Sequence, residues 1–149
     1  VQCGFLNTVN AESNVTGDST NHGIGSVAAT TSVFDRNSDM TEGDGAGTAA
    51  TFTAPVTATY TFFLSLVVSV PSGSGTNEMI LRIGSYIVEN LPTLNRTTNF
   101  GGASDYVGIC ASSTRYLTAS DTLTFVFNAN NGTKTSDIIS GYIGGFLVG

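Results

Sequence analysis

Residues 51–66 run TFTAPVTATYTFFLSL, and this stretch constrains the fold more than any other. Tyr60, Phe62, Leu64, Leu66 and Val68 recur at the two-residue period of a strand, with Phe63 and Val67 on the other face. Pro55, between the two apolar runs, has no amide hydrogen for a sheet ladder and so marks a strand end and a turn. A sandwich that stands alone needs only its inner face apolar. A strand apolar on both faces therefore predicts burial against a second molecule as well.

The rest of the chain has the same character. Apolar alternation or β-rich composition predicts strands at 3–9, 48–56, 59–70, 78–83, 86–91, 106–117, 123–127 and 138–148, with loose alternation over 25–34. Met79, Leu81 and Ile83 share one face, and Val107, Ile109 and Ala111 oppose Tyr106, Gly108 and Cys110. Residues 10–25 form a long polar stretch, 35–47 a turn-rich acidic loop, and Asn131-Gly132 carries the strongest hairpin-type signal. No segment keeps a helical period beyond a turn or two, and no repeat of solenoid or propeller length occurs. With 149 residues, the expectation is one all-β domain of eight to ten short strands.

Several functions are disfavoured by composition. A net charge of −6 with five scattered basic residues offers nothing to track a phosphate backbone, so no nucleic-acid partner is expected. The longest apolar run, 62–70, is short and broken by Ser65 and Ser69, so no membrane insertion is expected. His22, the single histidine, sits between Asn21 and Gly23, where a solvated turn residue is the natural role. With no other imidazole to act as base, and no Gly-x-Ser-x-Gly motif, no enzyme activity is expected.

Cys3 and Cys110 are expected to be free thiols. Asp35, Asn37 and Asp39 begin like a calcium loop, yet Met40 stands where glycine is needed and Ala46 where a bidentate glutamate is needed. The expectation is a solvated connection without a cofactor, calcium in another geometry being the alternative. Tyr86, Phe100, Tyr106 and Tyr116 are candidate sugar platforms, with packing in the core or between subunits as the competing role.

Phe52-Thr53-Ala54-Pro55-Val56, followed by Tyr60 and Phe62, resembles the central block of the C1q-like branch of the C1q/TNF superfamily. Met79 to Ile83, the run from Leu117 through Asp121 to Leu123, and Ser140-Gly141-Tyr142 are similar to later strands of that family. Ala58 departs from the pattern, which has glycine there; if that turn needs a positive φ, alanine would be strained. The resemblance implies a two-sheet antiparallel jelly-roll sandwich spanning residues 1–149, homotrimeric, binding rather than catalysing. It also implies that Cys3 and Cys110 lie on non-neighbouring strands of one sheet, too far apart to bond.

Asn14-Val15-Thr16-Gly17-Asp18, the Val33-Phe34-Asp35 turn and the central block look like the C1q-like domains at the ends of bacteriophage fibre and virion-surface proteins. That likeness implies a C-terminal head of a longer protein at a virion surface, or an extracellular one if not viral, that recognises a host receptor such as a glycan. A structural virion decoration or fibre-stabilising trimer, and a secreted C1q-like lectin, are the alternatives. The trimer interface is expected at Tyr60, Phe62, Leu64 and Tyr142. Receptor contacts are expected on polar loops, at Ser72, Ser74, Asn77, Asn95, Asn99, Phe100, Asn130 and Asn131.

Overall fold

The computed structural model describes residues 3–69, 78–84, 86–91, 106–130, 133 and 135–148. Among them run β1 (Gly4–Val9), β2 (Glu12–Thr16), β3 (His22–Gly23), β4 (Thr31–Asp35), β5 (Met40–Thr41) and β6 (Thr51–Thr53). There follow β7 (Ala58–Ser69), β8 (Glu78–Ile83), β9 (Tyr86–Leu91), β10 (Tyr106–Leu117), β11 (Thr122–Asn130) and β12 (Ser136–Leu147). No helix occurs among the described residues.

One sheet has the order β10-β7-β12-β1-β4, with β2 also on β12; the other has β5-β6-β11-β8-β9, with β3 also on β11. All pairings between these strands are antiparallel. From β2 onward the chain changes sheet at every connection except β5 to β6 and β8 to β9. The expected two-sheet antiparallel sandwich is therefore the observed one.

The central sequence block spans that sandwich. Phe52 belongs to the second sheet and Tyr60 and Phe62 to the first, and their rings meet across the interior with centroids 5.3 and 5.0 Å apart. Phe5 stacks on Phe52 at 5.4 Å, and Phe125 meets Phe62 edge-on at 6.3 Å. Such aromatic pairs contribute about 0.5–1.5 kcal/mol each beyond the area they bury. The proline turn is closed by Tyr60, whose hydroxyl donates to the Val56 carbonyl at 2.6 Å. Ala58 is not among the residues with positive φ, so this turn accommodates alanine without backbone strain.

Three local expectations are corrected. The strand at 48–56 shortens to Thr51–Thr53, because Ala50 donates instead to the Ile24 carbonyl of a neighbouring loop at 2.8 Å. The polar stretch 10–25 contains two strands, β2 and β3. Finally, Asn131-Gly132 lie outside the described residues, but the strands that flank them, β11 and β12, lie in different sheets and do not pair as a hairpin.

Candidate functional site

The two faces of β7 separate cleanly. Tyr60, Phe62 and Leu64 are completely buried within this chain's own sandwich, so they are not available to a neighbour. Their assignment to an intersubunit surface is thus corrected: they form the core, and the opposite face, with Phe63, Ser65 and Val67, points outward. Tyr142 is half exposed on the outward face of β12.

Register assembles that outward face row by row. One row reads Ser112, Phe63, Gly144, Leu6 and Phe34 across β10, β7, β12, β1 and β4. A second reads Cys110, Ser65, Tyr142 and Thr8, and a third Thr114, Thr61, Phe146 and Gly4. Gly144 is bare for a reason: a Cβ there would lie 2.1 Å from the Phe63 ring, which rests on the glycine backbone. Around these rings is an open hollow of about 630 Å³, lined by Gly4, Leu6, Phe34, Arg36, Phe63 and Phe146 among others. Phe34, Phe146, Tyr142 and Val67 are 47%, 49%, 50% and 38% exposed. Of these outward residues, strand alternation marks Phe63 and Val67 and the family resemblance marks Tyr142, but neither points to Phe34 or Phe146 as outward; the alternation of Phe146 with buried Ile143 and Gly145 is the available signal.

The candidate receptor residues Ser72, Ser74, Asn77, Asn95, Asn99, Phe100 and Asn131 lie outside the described residues. Asn130 is exposed at the end of β11, paired with Glu78 and bridged to Gly17 and Asp18. The strand ends that flank 70–77, 92–105 and 131–135 converge: Tyr106 pairs with Ser69, Leu91 with Met79, and Thr16 with Ser136. Cys3 and Val148, the ends of the described chain, lie at the other end of the sandwich, where Gly4 pairs with Phe146 and Leu147 with Tyr60.

Asp35 turns its carboxylate onto its own loop. It accepts from the backbone amides of Asn37, Asp39 and Met40 at 3.4, 3.2 and 3.0 Å, while Asn37 donates its side-chain amide to Asp39 at 3.1 Å. This is an Asx-type turn. Among the described residues no three acidic, histidine or cysteine side chains converge on a cation site.

Cys3 is buried, Cys110 is exposed, and both are free. Cys3 leads into β1 and Cys110 lies on β10, and β7 and β12 stand between those two strands in the first sheet. Burial, then a hydrogen bond to Asp39 and the charges of Asp39 and Asp35, push the Cys3 thiol up to about 12.

His22 is no solvated turn residue. It is 7% exposed, and its Nε2 lies 2.8 Å from Oε2 of Glu12, whose side chain is fully buried. The same carboxylate accepts from the amides of Gly25 at 2.9 Å and Val27 at 3.0 Å. Burial raises the Glu12 pKa and is the largest single influence. The hydrogen bonds from His22, Gly25 and Val27 and the His22 charge together outweigh it, holding the carboxyl below its usual range. Glu12 thereby ties β2 to the loop after β3. Nothing in the spacing of Glu12 and His22 marked them as partners.

No protein-family model matches the sequence, and neither does any curated protein. Solved structures do match in shape. Vertex protein P5 of PRD1 superposes with a TM-score of 0.58 at 12% identity, over 99% of this chain and 97% of that one. Murine APRIL, in its crystal structure at pH 8.0, superposes with a TM-score of 0.54 at 10% identity, over 99% of this chain and all of that one. The chain has the C1q/TNF-like jelly-roll fold. At these identities the likeness extends to the fold. Within this sandwich the outward face of the first sheet carries apolar side chains that are partly exposed.

Proposed function

We propose that this chain is a non-enzymatic homotrimeric head domain at a virion surface, which binds a host-surface receptor through the loops at one end. The observation that carries the proposal is the outward apolar face of the first sheet. Phe34, Phe63, Phe146, Val67 and Tyr142 present an apolar surface to water on a sheet whose other face already fills the core. A heterologous contact closed by a three-fold axis would cover all three copies of it. Any chain preceding Cys3 enters at the end opposite the strand ends that flank 70–77 and 92–105, and connections on the side away from a stalk suit a receptor. A glycan suits their Ser, Asn and Gly content.

Sedimentation of the domain at micromolar concentration is expected to give a trimer. Val67→Glu and Tyr142→Glu, which set charge on the seam, are expected to give folded monomers. A monomeric natural chain would remove the support for this assembly. Labelled domain is expected to bind host cells, and alanine at Asn130 and Asn131, or at Asn99 and Phe100, is expected to weaken attachment with the melting temperature nearly unchanged. The fold likeness to a PRD1 vertex protein favours a second function, a structural virion trimer without a receptor. Trimer formation without any cell binding would select it.

A further inference from the structure

The inward face of β1 carries one residue out of keeping with the core. Phe5, Asn7 and Val9 follow the two-residue period of the strand and are all buried, Asn7 with no exposed surface at all. Phe5 belongs to the aromatic cluster, and Ile143, the partner of Asn7 on β12, is wholly buried. An amide in such surroundings is costly unless its hydrogen-bonding groups are met.

Other buried polar side chains of the sandwich have partners. Glu12 and His22 bond each other, Thr16 donates to the Thr20 carbonyl at 2.6 Å, the Thr30 hydroxyl accepts from the Gly43 amide at 3.0 Å, and Asn128 donates to the Ser19 carbonyl at 2.7 Å. Asn7 differs. Neither its Nδ2 nor its Oδ1 has a partner among the described residues.

The strand pairing beside it is also interrupted. The register of β1 on β4 shifts between Leu6 and Asn7: Leu6 faces Phe34 and Asn7 faces Ser32, so Val33 has no counterpart. Such a bulge disrupts the ladder locally and leaves the extra residue unpaired. The amide of Ser32, opposite Asn7, donates to the Glu42 carboxylate at 2.9 Å. Since β4 is an edge strand, this interruption lies one strand from solvent.

The chemistry of Asn7 narrows what can meet it. Nδ2 donates and Oδ1 accepts. A cation would answer only the oxygen and an anion only the nitrogen, whereas water answers both and has bonds left for the main chain of the bulge. Buried waters make about three hydrogen bonds to groups otherwise unmet. We propose that Asn7 binds an ordered water at the β1–β4 bulge, joining its amide to the edge strand. The site lies on the inward face, so it depends on neither the trimer nor a receptor.

The test uses isotope-labelled full chain and nuclear Overhauser spectra in the laboratory and rotating frames. The side-chain amide hydrogens of Asn7 are expected to show cross-peaks to the water resonance with opposite signs in the two frames, which marks a held water rather than proton exchange. Magnetic relaxation dispersion of water oxygen-17 counts such waters. Asn7→Leu, which removes both polar groups at similar volume, is expected to lower that count by one per chain. An Asn7 amide without these cross-peaks in the natural chain overturns the proposal, whether or not the variant folds. A folded Asn7→Leu chain that keeps the full count overturns it as well.

Discussion

Replacing Glu12 by glutamine tests whether one buried carboxylate organises this edge of the sandwich. Glutamine nearly preserves the volume, so no cavity term enters. The carboxylate takes His22 and Val27 on Oε2 and Gly25 on Oε1. An amide keeps one oxygen, and its NH2 then faces a donor. Leaving one buried amide hydrogen without an acceptor costs about 1–3 kcal/mol, and stripping the charge from two remaining bonds costs about 1 kcal/mol each. The sum, about 3–5 kcal/mol, matches the usual cost of breaking a buried pair from one side. Against a total stability of about 5–15 kcal/mol, it should lower the melting temperature by about 6–20 °C.

Urea titration followed by circular dichroism gives the difference directly. It should also depend on pH. Because the folded state holds the Glu12 carboxyl below its usual range, its contribution is complete above the unfolded pKa and is lost as pH falls through the folded value. The natural and variant stabilities should therefore converge in acid. A loss under about 1 kcal/mol at neutral pH with an unchanged denaturant slope would refute the bond accounting. A gap that persists undiminished into strong acid would refute the role of the charge.

The thiols should differ sharply: with an aromatic disulfide reagent near pH 8, Cys110 should react in the folded monomeric Val67→Glu chain and Cys3 only on unfolding. Since the Cys3 pKa rises from 9.0 to about 12, its contribution to stability is complete below 9 and should fall as pH climbs from 9 toward 12, measurable by denaturant midpoint. Gly43→Ala would place a Cβ 2.5 Å from the Gly25 backbone, so the variant should lose about 1–3 kcal/mol in the same titration.

Strands 78–83, 86–91 and 106–117 are legible to the residue, because β-rich, partly alternating runs there are bounded by turn-forming residues such as those at 71–77, Gly84, Pro92 and Gly101-Gly102. Periodicity counts apolar residues, and that is why β2 and β3 escape it. Their buried positions include Glu12, Thr16 and His22, whose burial depends on partners far along the chain. The same blindness makes His22 look like a solvated turn. Alternation along β7 also sorts Tyr60, Phe62 and Leu64 from Phe63 and Val67, but it does not tell which set meets the opposite sheet. That depends on Phe5, Phe52 and Phe125, which come from three other strands.

β12 lies between β1 and β7, in the middle of the first sheet, yet it comes last in chain order among the described strands. Until it is made, β1 and β7 each present an unsatisfied edge and no continuous sheet exists. A chain released before residue 136 would thus expose two β-rich edges and an open aromatic core, which is the profile of an aggregating species. Only a chain that extends through β12 can therefore close this sandwich.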